Sequence, residues 1–103
     1  MNYAIEILPV ADEDLRGIFA YWANELLAHE EAKALLNNIM KAVMGLQTLP
    51  ERYPKHAMAS LPESNIRRMP VGKFLVFYDV DKTLRRVTVL RVIYGTRDVE
   101  QIF

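Results

Sequence analysis

A chain of 103 residues has room for one modest core, and folding should bury about 60–70% of its extended surface, so a single domain over residues 1–103 is expected. With 51% apolar and 25% charged residues it is placed among folded chains, and the absence of cysteine excludes disulfide staples, thiolate chemistry and cysteine-bearing zinc sites. The formal net charge is zero, a weak field for gripping nucleic acid, so direct nucleic-acid binding is not expected. The halves differ, however. Residues 1–50 carry three basic and seven acidic side chains and the remainder ten and six, so an anionic partner should meet the second half.

The N-terminus, Met1-Asn2-Tyr3-Ala4-Ile5-Glu6, has no basic stretch ahead of an apolar run, and no apolar segment reaches the roughly 18 residues of a membrane span. A cytoplasmic protein without membrane insertion is expected. Residues 3–8 alternate weakly, with Tyr3, Ile5 and Ile7 on one face, before Pro9 interrupts; this predicts a short edge strand. Asp12 then reads as a helix N-cap, with Glu13 and Asp14 in the first turn. Leu15, Ile18, Phe19, Trp22 and Leu26 follow at helical spacing as a core-facing stripe. A second stripe runs through Ala32, Leu35, Leu36, Ile39, Met40, Val43 and Leu46 and stops before Pro50. No glycine or proline separates the two. A break near Ala28-His29 is inferred from the shift in phase and the need to fold back, with one long helix as the alternative.

Residues 50–65 hold three of the five prolines and predict a long surface loop. Three strands should follow, Ile66–Met69, Phe74–Val80 and Arg86–Tyr94, the last two joined by a turn at Asp81-Lys82-Thr83. In the final strand Val87, Val89 and Ile93 should share a face with Arg91, while Thr88, Leu90, Val92 and Tyr94 face the other way; two apolar faces predict a central strand. The fold class is therefore α+β: an N-terminal strand, a helical hairpin and a three-stranded antiparallel sheet, with the helices on one face.

The segments Arg67-Arg68-Met69-Pro70-Val71-Gly72-Lys73, Phe74-Leu75-Val76-Phe77-Tyr78-Asp79-Val80-Asp81 and Val89-Leu90-Arg91-Val92-Ile93-Tyr94-Gly95-Thr96-Arg97-Asp98 are similar in order and spacing to the RelE/ParE superfamily of type II toxins. The resemblance implies a toxin of a toxin–antitoxin system with a role in plasmid stabilisation. It also implies a cognate, ParD-like antitoxin as partner, with a possible hetero-oligomer between the two, and no cofactor or metal.

The superfamily divides by target. RelE-like members resemble ribosome-dependent ribonucleases, and metal-free RNA cleavage needs a base, an acid and cations on the developing phosphorane charge. Where such nucleases place an arginine in the third strand this chain has Leu75. Arg97 matches the arginine after the final glycine, but the tyrosine expected near the end is Phe103. These departures favour the ParE-like branch, whose members resemble poisons of DNA gyrase and act by binding protein. The alternatives are a RelE-like mRNA interferase using Arg67 or Arg68, Lys73 and Arg97 as phosphate-binding cations, or a degenerate toxin that retains only antitoxin binding.

Candidate target contacts are Arg67, Arg68, Arg91, Tyr94 and Arg97. Arg67 and Arg68, as strand neighbours, must point to opposite faces. Arg91 among apolar residues requires a partner, for which Glu6 and Asp79 are the expected choices. For Tyr78 and Tyr94, packing is preferred over stacking on bases. Phe19, Tyr21 and Trp22 cluster on the first helix and are candidate antitoxin contacts, helix in groove or strand on edge, with core packing as the competing reading. His29 and His56 are expected to be exposed structural residues, and Asp98 is a candidate cap for a short terminal turn.

Overall fold

The computed structural model describes residues 2–56 and 65–95. The expectations for Arg97, Asp98 and Phe103 lie outside the described residues. The elements run β1 (Ala4–Ile7), α1 (Pro9–Ala20), a π-helical turn (Tyr21–Glu25), α2 (His29–Met44), 3₁₀ turns at Gly45–Gln47 and Pro50–Arg52, then β2 (Arg67–Val71), β3 (Phe74–Asp81) and β4 (Arg86–Tyr94). The sheet order is β1-β4-β3-β2. β2–β3 and β3–β4 are antiparallel, and β1 joins the same sheet parallel to β4, with Ala4 opposite Arg86 and Ile7 opposite Val89. The predicted three-stranded antiparallel sheet is thus one part of a mixed four-stranded one, and β4 is central as expected.

Pro9 starts the helix rather than merely ending the strand. Its fixed φ suits the first helical position, where an amide hydrogen would go unused. Leu8 is the cap, with no side-chain hydrogen bond, which corrects Asp12 as N-cap. Asp12 instead accepts from Arg16 Nε at 2.9 Å, one turn along. The π turn then changes the phase of the predicted stripe. Ala23 is buried there, while Leu26 turns outward to 47% exposure and Tyr21 to 55%.

The two helices are separated by Leu27, in the left-handed region at φ 52°. The Ala28 N–H closes the turn on Trp22 O at 2.9 Å, and Leu26 N–H bonds Tyr21 O at 3.2 Å. This resembles the common glycine-terminated helix end, widened by the π turn and with leucine in the glycine position.

The core lies between the helices and one sheet face. Ala11 and Leu15 from α1, Ile39 and Val43 from α2, and Leu46 meet Met69, Val76, Tyr78, Val87, Val89 and Val92. At about 2 kcal/mol for each fully buried large apolar side chain, this layer is the main stabilising term. β4 does not keep strict alternation: the register jumps from Phe77–Arg91 to Tyr78–Val89, leaving Leu90 as an extra residue. The bulge puts Val92 on the core face with Val87 and Val89, which corrects the expected grouping of Arg91 with the two valines. At the β2–β3 turn Gly72 takes φ +57°, the positive value required at the first position of this two-residue hairpin. At the next hairpin Asp81 Oδ1 accepts from Leu84 N–H at 2.9 Å. Pro70 is tolerated because β2 is an edge strand.

Candidate protein-binding groove

β1 ends at Ile7 opposite Val89, whereas β4 runs on to Tyr94, so the second half of β4 has an edge that β1 does not cover. Asp14 of α1 fills that place. Its Oδ2 accepts from Arg91 Nε at 2.8 Å and from Val92 N–H at 2.9 Å, and its Oδ1 accepts from Arg91 Nη2 at 2.9 Å. The Arg91 pKa is raised, chiefly by the hydrogen bond to Asp14. Arg91 therefore holds α1 against the sheet. The partner is Asp14 rather than Glu6 or Asp79; Glu6 pairs with Arg86 at 3.7 Å.

With α1 held there, it and the π turn stand beside the start of β3 and the end of β4. The space between is an open groove of about 570 Å³ lined by Glu13, Gly17, Tyr21, Trp22, Phe74 and Tyr94 among others. Phe74 and Tyr94 meet edge to face, with ring centroids 5.7 Å apart. Gly17 sits in the middle of α1, and a Cβ there would meet nothing within 4 Å. Glycine in a helix interior costs about 1 kcal/mol relative to alanine, and internal packing does not require it at this place.

The groove brings together Tyr94, read as a target contact, with Tyr21 and Trp22, read as antitoxin contacts. Phe19 is directed elsewhere, lining a separate shallow groove between the helices with Leu15, Leu36 and Met40. The expected single aromatic cluster is therefore split. Glu13, Asp14, Gly17 and Phe74 were not expected at the site. A glycine interrupting an otherwise regular helical stripe was the one signal available for Gly17.

The basic candidates also separate. Arg67 serves as an internal strut: Nη1 donates to Tyr53 O at 2.7 Å and Glu51 O at 3.1 Å, and Nη2 to Glu51 Oε2 at 3.4 Å. Arg68 points away from it, is exposed, and among the described residues its guanidinium has no ion pair. Leu75 pairs with Pro70 and Ile93 and lies against Gly95, where a Cβ would fall 3.6 Å from its Cγ. Tyr78 is fully buried; its hydroxyl donates to Pro50 O at 2.6 Å, and burial pushes its pKa up to about 12. His29 is exposed as expected, but His56 is buried edge-on against Phe77 at 5.2 Å. Among the described residues no group of acidic or histidine side chains could hold a metal ion, and no helix is long and apolar enough to cross a membrane.

Comparison with known proteins gives a consistent result. The chain is similar in structure to the chromosomal ParDE system of P. aeruginosa, with a TM-score of 0.71 and 18% identity over 89% of this chain and 95% of that one. The RelBE2 toxin–antitoxin complex of Mycobacterium tuberculosis matches with a TM-score of 0.70 and 19% identity over 91% and 92%. The archaeal RelE–RelB complex of Pyrococcus horikoshii OT3 matches with 0.64 and 16% over 95% and 100%. At identities this low, the superpositions show a shared fold alone. No curated protein sequence matches the chain. The family model for the ParE toxin of the type II toxin–antitoxin system parDE matches residues 5–99, and the chain belongs to that family.

Proposed function

We propose that this chain is the toxin of a type II toxin–antitoxin pair, held inactive while a segment of its cognate antitoxin occupies the groove between α1 and the end of β4, and that the freed toxin inhibits DNA gyrase by binding it. The observation that carries the antitoxin seat is the groove itself. Tyr21, Trp22, Phe74 and Tyr94 line one open, largely apolar surface, and a helix interior keeps Gly17 where no internal contact asks for it. Aromatic side chains in such a groove are the usual anchors of a protein interface.

The binding mode of action is favoured over RNA cleavage by two placements. Leu75 is packed against Gly95 where a nuclease of this superfamily would hold a cation, and Arg67 is committed to two backbone carbonyls and Glu51. Arg68, exposed and without an ion pair among the described residues, is the described cation best placed for a target, and Arg97 and Tyr94 complete the proposed contact set.

The test has two arms. Trp22→Ala and Tyr94→Ala should weaken capture by the antitoxin encoded beside this gene, measured by calorimetry on full-length proteins; unchanged affinity in both would remove the groove from the interface. The purified toxin should block gyrase supercoiling. Full supercoiling at large toxin excess, together with codon-linked cuts in translated mRNA, would transfer the chain to the nuclease reading.

A further inference from the structure

The groove is apolar on its floor and carries two carboxylates, Glu13 and Asp14, on its helical rim. Of the two carboxylates lining the groove, Asp14 is neutralised by Arg91. Among the described residues Glu13 has no ion pair, and it is exposed at the groove's edge. An unpaired carboxylate beside three electron-rich rings is a favourable setting for an organic cation. The ring faces attract it electrostatically, and the carboxylate supplies a full counter-charge. Gly17, with no Cβ over this part of the helix, leaves room for a side chain to enter.

We infer that the groove selects a partner segment that inserts a lysine or arginine, flanked by apolar side chains, among Tyr21, Trp22 and Tyr94, with Glu13 as the counter-ion. The inference rests on reading the groove as the antitoxin's seat, and it assigns that segment a chemistry. The part of the antitoxin over α1 is locally basic and apolar.

The experiment uses full-length toxin and the full-length antitoxin from the adjacent reading frame. Glu13→Lys should weaken binding by roughly tenfold or more and Glu13→Gln by less, with thermal stability near that of the parent because Glu13 is exposed. Each lysine and arginine of the antitoxin is then changed to glutamate, and one such change should restore affinity for the Glu13→Lys toxin while weakening binding to the parent. Wild-type affinity for Glu13→Lys, with Trp22→Ala and Tyr94→Ala still weakened, would overturn the cation and keep the groove. A weakened Glu13→Lys toxin that no single antitoxin change restores would overturn it as well. If none of the toxin variants weakens binding, the groove is not the antitoxin's seat and both readings fall.

Discussion

Replacing Asp14 with alanine tests whether one carboxylate holds α1 to the sheet. The change removes an acceptor for three hydrogen bonds, two from Arg91 and one from the Val92 N–H, all at 2.8–2.9 Å. It leaves a guanidinium whose side chain is 22% exposed without a partner, along with a strand amide on an uncovered edge. Stranding one member of a buried pair costs about 3–5 kcal/mol, but water can reach part of this guanidinium, which puts the value at the lower end, about 3 kcal/mol. For a domain of this size that is roughly a third to a half of the whole stability and a drop of about 12–18 °C in Tm. Urea unfolding should show the midpoint falling by about 2 M with an unchanged m-value.

A double-mutant cycle with Arg91→Met separates the pair from the strand amide. Asp14→Ala in the Arg91→Met background should cost only about 1–2 kcal/mol, because only the Val92 amide is then stranded. An Asp14→Ala loss below about 1 kcal/mol, or a coupling energy with Arg91 near zero, would refute the clasp as a determinant of how α1 sits.

Tyr78 gives the fold an alkaline limit. Its folded pKa of about 12 stands above the ordinary 10.0, so the native state holds its proton more tightly than the unfolded chain. The associated stability, about 2–3 kcal/mol, is complete below pH 10 and is lost as pH rises toward 12. Tyrosinate absorbance followed alongside unfolding should show this loss, and Tyr78→Phe should remove it while costing about 1–2 kcal/mol at neutral pH by stranding Pro50 O. Leu27→Gly should stabilise the chain by about 0.5–1 kcal/mol in thermal melts, since Leu27 is 80% exposed and held at φ 52°; a destabilised variant would show that the side chain has a contact to lose. Arg68→Ala should leave Tm within about 1 °C and, under the proposed function, weaken binding to gyrase, whereas Arg67→Ala should lower Tm by several degrees through loss of its carbonyl bonds, about 1–3 kcal/mol.

Periodicity made most of the fold legible. The α2 stripe from Ala32 to Leu46 faces the core as expected, and β4 has the predicted bounds and the predicted central place. The failures share a cause: features that carry no composition signal of their own. The π turn inserts a residue's worth of rotation and turns Leu26 outward, although its sequence continues the stripe. The bulge at Leu90 does the same for Arg91 and Val92 in β4. Leu27 occupies a conformation that a glycine would have announced. Asp14 was legible as a favourable charge near a helix N-terminus, but its partners lie 77 and 78 residues away, a distance that no local pattern spans. The groove was half legible for the same reason. Its aromatics were named one element at a time, and only the fold shows that Tyr94 and Trp22 share a surface while Phe19 does not.

The parallel pairing of β1 with β4 has a consequence for how the protein comes into being. Ala4–Ile7 can find its sheet neighbour only once Arg86–Val89 has been made, so the first strand synthesised waits for the last. During that interval α1 has neither its clasp partner nor the face it packs on, and the aromatic groove does not exist. Contacts of this sequence separation carry a large closure entropy and form late. The nascent chain is thus unable to assemble the groove before β4 has been translated, and a partner that recognises the groove meets only chains that already carry that strand.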